Sequence, residues 1–212
     1  MTYSNNNFNL IDHPLLKRDM TILRKKETEP EAFRAAVKRI ATILAVETSK
    51  HISMNNIEIE TPLEKTIGFE LNQDIVLVPV LRAGLGMVSG FLGVIPEAKV
   101  GHIGLQRDET TLMPTEYYYK TPKHLEKSKV ILLDPMLATG GSAAEALNYL
   151  KKRGASDIVF VCLVASPIGV EKVLNMHPNV KIIAAAYDRE LNEKGYILPG
   201  LGDAGDRTFG TL

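Results

Sequence analysis

Residues 134–142 carry the strongest chemical signal in the sequence. They read Asp-Pro-Met-Leu-Ala-Thr-Gly-Gly-Ser and follow the apolar run 130–133, so an acid and a glycine turn stand between a predicted strand and a predicted helix. A helix N-terminus offers unpaired N–H groups and the positive end of the helix dipole. Because Gly140 and Gly141 lack Cβ atoms, the backbone there can wrap around an anion. The segment therefore predicts a phosphate-binding loop.

Two familiar phosphate motifs are absent from this segment. No lysine follows the glycines, which excludes a Walker A loop, and the G-x-G-x-x-G spacing of a dinucleotide fold is missing. A plain strand-to-helix turn would explain Thr-Gly-Gly-Ser alone. The preceding acid and apolar strand favour a bound phosphate.

Four continuous apolar runs predict the strands that must position this loop. Runs of this kind that alternate with helices are typical of a mainly parallel sheet with helices on both faces, so we expect an α/β fold. In such sheets, ligands bind beyond the carboxyl ends of the strands, where the glycine turns 82–86 and 134–142 both lie. The predicted strands are Ile75–Val80, Val130–Leu133, Ile158–Ala165 and Val180–Ala186.

Two of the predicted helices begin with the spacing of a capping box. Thr28 and Glu31 have this spacing at the start of one helix, and Ser142 and Glu145 have it at the start of another, which we expect to end before Gly154. The first helix presents Phe33, Val37, Ile40 and Leu44 on one face. The second presents Ala143, Ala146, Leu147 and Leu150. A further helix is predicted to start at Ser166-Pro167.

Two segments depart from the alternation of strands and helices. Residues 104–122, with the triplet Tyr117-Tyr-Tyr119, have β propensity and no helix to follow, which predicts a β-arm. Residues 187–212 are rich in glycine but keep apolar residues, so we expect an ordered loop structure over the core.

The bulk composition excludes several classes of protein. Lys plus Arg equals Asp plus Glu at 25 each in 212 residues, so no global field attracts nucleic acid or an anionic membrane. No apolar stretch reaches the roughly 20 residues of a membrane span, and the polar N-terminus is no signal peptide. The single cysteine, Cys162, lies in an apolar run and predicts a buried strand residue in a reducing compartment. We expect one domain over residues 1–212 and a cytoplasmic location.

Residues 134–142 resemble the loop that binds 5-phosphoribosyl 1-diphosphate (PRPP) in type I phosphoribosyltransferases, in the form used by the uracil branch. The general family form begins with two acids, and Pro135 stands in the second place here, as it does in that branch. The resemblance implies that Ala138–Ser142 cup the 5′-phosphate and that Asp134 faces the ribose. The PRPP-binding residues implied within the loop are Asp134, Pro135, Met136, Leu137, Ala138, Thr139, Gly140, Gly141 and Ser142.

Other segments are similar to the same family. Arg82, in the turn 82–86, matches the loop that meets the diphosphate, and Arg107 matches an arginine near PRPP at the root of an arm. Gly195–Asp206 resembles a uracil-binding hood, in which Ile197, Gly202, Asp203 and Ala204 meet the base. We expect Asp203 to orient PRPP or to assist at uracil N1, and Asp206 is a weaker candidate for this role. Asp203 and Arg107 are the catalytic residues that we assign.

The resemblance, which runs from about His13-Pro14 to Gly210, implies a reaction and its partners. The expected reaction joins uracil to PRPP and yields UMP and pyrophosphate, with Mg²⁺ carried mainly by PRPP. The five histidines show no ligand spacing, so we assign no dedicated metal site. Family members imply a homo-oligomer, a dimer or tetramer, and GTP is a possible effector.

Three other interpretations stay open at this point. A phosphoribosyltransferase for a purine base would need a different hood. An RNA-binding attenuator of pyrimidine genes would need a basic patch with interleaved aromatics, which the sequence lacks. A structural interaction protein would require a damaged site, and the acid, the arginines and the hood are all intact.

Overall fold

The computed structural model describes residues 6–107 and 114–211 and, within them, all side chains except those of Arg107 and Pro114. The strands in this part of the chain are β1 Phe8–Leu10, β2 Met54–Glu60, β3 Lys65–Leu71, β4 Asp74–Leu81, β5 Lys99–Val100, β6 His102–Arg107, β7 Pro114–Lys120, β8 Ser128–Leu133, β9 Met136–Leu137, β10 Asp157–Ala165, β11 Lys181–Tyr187, β12 Glu190–Leu191 and β13 Ile197–Leu198. The α-helices are α1 Pro14–Arg24, α2 Pro30–Ser49, α3 Leu85–Leu92, α4 Gly141–Lys152, α5 Pro167–Met176 and α6 Ala204–Phe209.

The central sheet has the strand order β1-β11-β10-β8-β4-β6-β7. Every neighbouring pair in it is parallel except β6 and β7, which pair antiparallel. The two short strands β5 and β9 join it beside β4 and β10. The predicted mainly parallel sheet is confirmed.

The central strands are buried because helices cover both faces of the sheet. All six residues of β8 are buried, and alternate residues of a strand point to opposite faces. Ile131 and Leu133 therefore pack with α1, α2 and α3, whereas Val130 and Leu132 pack with α4 and α5. The apolar faces predicted for α2 and α4 are buried as expected.

Both predicted capping boxes are wrong. The Thr28 hydroxyl donates to the carbonyl of Ile22 at 2.6 Å, and α2 begins at Pro30 after Glu29, whose side chain does not cap the helix. α4 begins at Gly141, and its N-cap is Gly140 in the left-handed region at φ 75°. The N-cap Gly140 has no side chain to cap α4, and the one side-chain acceptor at the start of the helix is the distant Thr139 hydroxyl, 3.5 Å from the nitrogen of Gly141. Other N–H groups of the first turn remain available to another acceptor.

The β-arm and the hood take definite forms. β6 and β7 make the described part of the arm, with an irregularity in the register between Gly104 and Leu105. Residues 108–113, which belong to the segment predicted as the arm, lie outside the described residues. The hood, residues 187–212, contains the antiparallel pair β12–β13 and the short helix α6 in its described part. Neither α1, α6 nor the pairing of β2 with β3 was predicted from the sequence.

Candidate active site

Residues 134–142, called the phosphate loop after the ligand predicted for them, surround a cavity of about 120 Å³ at the carboxyl end of β8, called the phosphate cavity below. Its wall is formed by Asp134, by residues 136–143 and by Gly195 from the hood. Residues that the sequence predicted to bind phosphate thus line one cavity, and the first residues of α4 are part of its wall. Pro135 is the exception: it does not line the cavity, and its carbonyl accepts from the N–H groups of Leu163 and Val164 at 3.0 Å each.

The start of α5 supports the phosphate loop from behind. The Ser166 hydroxyl donates to the carbonyl of Ala138 at 2.6 Å and accepts from the N–H of Gly169 at 3.0 Å. Gly169 lies so close to the loop that an added Cβ would come within 2.5 Å of the Ala138 carbonyl oxygen. The sequence indicated Ser166 only as a helix start, so its contact with the loop was missed.

Asp134 is a half-buried carboxyl group at the edge of this cavity. Desolvation raises its pKa to about 7, although the N–H of Met136, which donates to its Oδ1 at 3.2 Å, acts in the opposite direction. The nearby Cys162 thiol is buried, and burial together with the Asp134 charge raises the pKa of that thiol well above its usual value. Cys162 is therefore the buried strand residue that the sequence predicted, and it is held as an inert thiol.

Arg82 follows β4 in the strand-to-helix turn beside the phosphate loop. Pro79 pairs with Leu133, so the turns after β4 and β8 are neighbours. The peptide bond between Leu81 and Arg82 is cis. A Cβ on Gly84 would approach the Leu133 carbonyl oxygen to 2.4 Å, so only glycine fits where the two turns meet.

The Arg82 guanidinium is exposed and faces the hood. Its Nη2 donates to Asp206 Oδ1 at 3.0 Å, and its guanidinium carbon lies 6.0 Å from the centre of the Phe209 ring. The pKa of Asp206 is lowered by the hydrogen bond from Thr211 and, after it, by Arg82. An exposed pair of this kind is weakly held, so an incoming anion can compete for Arg82.

The hood and the phosphate loop enclose a second cleft of about 330 Å³, called the base cleft below after the ligand predicted for its residues. Predicted residues Ile197, Gly202, Asp203 and Ala204 all line it. A volume of this size is at the lower end of the usual range of roughly 300–1,000 Å³ for small-molecule sites, which suits a single small ring. The cleft shares Met136, Ala138 and Gly195 with the phosphate cavity, so the two spaces adjoin. Lys194 and Tyr196 also line the cleft and were not predicted.

Asp203 has a structural role in addition to its place in the cleft. Its Oδ1 accepts from the N–H of Asp206 at 2.9 Å, which makes Asp203 the N-cap of α6. Gly202, at φ 79°, supplies the turn that precedes it. The backbone around the base cleft is thus fixed by a cap and a left-handed glycine.

A partly buried ion pair joins the hood to α1. Arg24 makes two hydrogen bonds of 2.7 Å with the Asp188 carboxylate, and this carboxylate also accepts from the N–H of Gly200 at 2.8 Å. Arg24 donates to the Gly200 carbonyl as well, at 3.0 Å. No sequence signal predicted this contact, because its partners stand 164 residues apart.

The side chain of Arg107 lies outside the described part of the chain. Arg107 ends β6 opposite Pro114, and its assignment to PRPP stays a prediction.

In residues 6–107 and 114–211, no group of three or more His, Cys, Asp or Glu side chains could hold a metal ion. Within the same ranges, no helix has the length and apolar character needed to cross a membrane.

A glycine loop and a small cleft lie together at the carboxyl end of a mainly parallel sheet, where open α/β sheets bind their ligands. The chain has the fold of the phosphoribosyltransferases, a class of nucleotide-forming transferases. Adenine phosphoribosyl transferase from Trypanosoma brucei shares this fold, with a TM-score of 0.57 at 13% identity over 86% of this chain and 84% of that one. The family model for uracil phosphoribosyltransferase matches residues 10–211. The chain belongs to the uracil phosphoribosyltransferase family.

Individual relatives agree with this assignment. The uracil phosphoribosyltransferase of Salinibacter ruber is 51% identical over 97% of this chain and 98% of its own length. That of Thermosipho melanesiensis is 54% identical over 96% and 98%. The solved structure of the AQ2163 protein from Aquifex aeolicus has a TM-score of 0.89 and 38% identity, covering 95% of this chain and 97% of that chain.

Proposed function

We propose that this protein transfers the 5-phosphoribosyl group of PRPP to N1 of uracil, forming UMP and pyrophosphate in pyrimidine salvage. The observation that carries the proposal is the junction of the phosphate cavity with the base cleft at Met136, Ala138 and Gly195. A nucleotide spans a phosphate and a base, so its product needs two such spaces side by side. Family membership names the base as uracil.

The 5′-phosphate is assigned to the phosphate loop. The N–H groups at the start of α4 have no side-chain cap, and they can donate to phosphate oxygens. Thr139 and Ser142 add hydroxyl groups, and Asp134, which lines the cavity, is assigned to the ribose. Arg82 is assigned to the diphosphate, because its planar guanidinium can bind two phosphate oxygens at once.

The base is assigned to the hood. Ile197 and residues 202–204 offer peptide groups at close range, and these can match the N3–H and the two carbonyls of uracil. Cytosine inverts that pattern, because it has an exocyclic amine and an unprotonated N3. Its binding would leave buried polar groups without partners, which rejects it.

In the reaction, uracil N1 forms a bond to ribose C1′ while the bond from C1′ to the diphosphate oxygen breaks. The diphosphate leaves with the electron pair, and the proton of N1 is lost to solvent or to a nearby carboxylate. Asp203 is the carboxylate that we assign to this step and to the positioning of PRPP, because it lines the base cleft. The protein's main contributions are positioning and neutralisation of the leaving charge, the latter by Arg82 and, we propose, Arg107.

The donor set fits Mg²⁺ bound mainly through PRPP. Magnesium usually takes one or two carboxylates together with substrate phosphates and water. Asp134 is the carboxylate that lines the phosphate cavity and could serve as such a ligand. When bound, the ion would supply further neutralisation of the diphosphate charge.

The remaining proposals concern assembly, location and regulation. The β2–β3 hairpin exposes large apolar side chains, with Leu63 95%, Phe69 67% and Ile67 57% exposed, which supports association of the single-domain chain into a dimer or tetramer. The buried lone thiol of Cys162 is in keeping with a cytoplasmic location. GTP as an effector is proposed from family resemblance. Because the net charge is zero, the chain has no general attraction for nucleic acid or anionic membranes, and we propose neither as a partner.

A base panel tests the central proposal. Radiolabelled uracil, cytosine, adenine and hypoxanthine are each incubated with the protein, PRPP and Mg²⁺, and nucleotide formation is followed. We expect UMP from uracil and no detectable product from cytosine. Failure to form UMP, or faster turnover of a purine base, would overturn the proposal.

A further inference from the structure

A third cavity, of about 260 Å³, lies behind the base cleft. One side is formed by the loop 199–202 of the hood, and the other by Arg24, Lys26 and Arg207. No acidic residue lines it, although Glu27 and Glu29 follow Lys26 in the chain. This cavity takes no part in the reaction proposed above.

Arg207 gives the cavity a buried positive charge without a carboxylate counterpart. Its side chain is 9% exposed, and its guanidinium donates to the carbonyl oxygens of Leu23, Lys25 and Leu201. In the described part of the chain, no Asp or Glu oxygen lies within ion-pair distance of it. Desolvation lowers the pKa of Arg207, and no acid counteracts this. The guanidinium of Arg207 also lies over the Phe33 ring, 4.6 Å from its centre. A buried charge whose partners are neutral oxygens and an aromatic ring favours an anion nearby.

The other two basic residues differ in what they can offer. Arg24 is neutralised by Asp188, at 2.7 Å, and contributes no net charge. Lys26 is exposed, and its ammonium group makes no ion pair with the residues that the structure describes. The cavity therefore has the buried cation of Arg207 on one side and the exposed cation of Lys26 at its opening, and the two together can bind an anion from two sides.

We propose that this cavity is a second binding site for a phosphoryl anion, separate from the phosphate loop. Its volume lies below the usual range for drug-sized ligands, which favours inorganic phosphate, diphosphate or the phosphate tail of a larger molecule. Arginine and lysine without a nearby acid match the charge of these anions.

The site borders the base cleft through a single loop. Gly202 lines both cavities, and Gly200 is hydrogen-bonded into the Arg24–Asp188 pair. An anion bound against the loop 199–202 restricts the motion of this loop, whose residue Gly202 also lines the base cleft. This consequence, which rests on the proposed function, is a changed KM for uracil when the second site is filled.

Charge-reversal variants of two neighbouring lysines provide a matched test. Lys26→Glu removes the rim cation, whereas Lys25→Glu makes the same change in net charge at an exposed residue that does not line the cavity. Arg207 is left intact because its bonds tie α6 to the end of α1. Phosphate and a nucleoside triphosphate are each titrated calorimetrically into protein saturated with UMP, which occupies the phosphate loop and the base cleft. The same titrations in the Arg82→Gln background remove the diphosphate position that UMP leaves open.

We expect one added anion to bind to the native protein and to Lys25→Glu, and to bind about tenfold more weakly to Lys26→Glu. Equal weakening in both variants, or no binding beyond the phosphate loop, overturns the site. The anion that binds most tightly identifies the source of the phosphoryl group. If UMP itself fails to bind, the proposed function fails, while the comparison of the two variants without UMP still tests the anion site. An unchanged KM for uracil in saturating anion overturns the coupling.

Discussion

Ser166 and Ala138 are joined by a hydrogen bond of 2.6 Å from the serine hydroxyl to the alanine carbonyl, across 28 residues of sequence. The same hydroxyl caps α5 by accepting from Gly169. One side chain thus fixes the shape of the phosphate loop and the start of the helix behind it. The phosphate loop is therefore supported by a side chain that does not itself line the phosphate cavity.

The change Ser166→Ala tests this support. We expect the KM for PRPP to rise about tenfold and the free energy of unfolding to fall by about 1–2 kcal/mol, because a carbonyl loses its donor and a helix loses its cap. Steady-state kinetics with varied PRPP and urea unfolding measure the two effects. Ser89→Ala, on the exposed side of α3, is the control and should leave both unchanged. Equal behaviour of the two variants would show that the bond has no such role.

Gly84→Ala tests the close approach of the two strand-to-helix turns. The added Cβ would come within 2.4 Å of the Leu133 carbonyl and 2.7 Å of the Val80 nitrogen, so backbone must shift. We expect a loss of stability of about 2–4 kcal/mol and a lower affinity for PRPP. Gly93→Ala is the matched control, because its nearest neighbours would lie at 3.5 Å and its φ of −69° suits alanine. Unfolding curves in urea that are the same for both variants would refute the steric interpretation.

The sequence predicted the strands and the site better than it predicted what holds them in place. Continuous apolar runs identify buried strands, and a glycine turn after a strand identifies an anion loop, because both signals are local. The apolar spacing of Leu16, Met20 and Leu23 was equally local, yet α1 was missed since His13 is an unusual N-cap. A local signal is useful only where its pattern is familiar.

Contacts between distant residues could not be predicted in this way. The Arg24–Asp188 pair and the Ser166–Ala138 bond depend on the final packing of the sheet, and neither has a spacing to detect. The two capping boxes, in contrast, had a local spacing that could be detected, and the predictions were still wrong. Their spacing was correct, but the Thr28 hydroxyl donates to a different acceptor, and α4 starts after a left-handed glycine that has no side chain to cap it.

The raised pKa of Asp134 predicts a dependence of stability on pH. The carboxyl ionises near pH 7 in the folded protein but near its ordinary value of 3.8 in the unfolded chain. Between these values the unfolded chain alone loses the proton, so Asp134 progressively destabilises the native state as pH rises from about 4 to 7 and adds nothing further above that.

Asp134→Asn removes this titration while its side-chain oxygen can still accept from Met136. The variant should therefore match the native protein in stability near pH 4 and exceed it near pH 7.5, as measured by urea unfolding at each pH. Its kcat/KM for PRPP should fall, because the carboxylate that we propose to face the ribose and to serve as a ligand of Mg²⁺ is lost. A difference in stability that does not vary with pH would contradict the assignment.

Asp203 is the residue whose chemical role can be separated most cleanly from its structural one. Its Oδ1 caps α6, and asparagine caps a helix about as well as aspartate, so Asp203→Asn keeps the cap and removes only the charge. We expect kcat/KM to fall by about 10²–10³-fold with stability within about 0.5 kcal/mol of the native protein, a loss typical of a removed acid–base or electrostatic group. Asp203→Ala, which also loses the cap, should be less stable by about 1 kcal/mol and no more active. An asparagine variant with full kcat/KM would leave Asp203 as a helix cap alone, and the proton of uracil N1 would then have to leave directly to solvent.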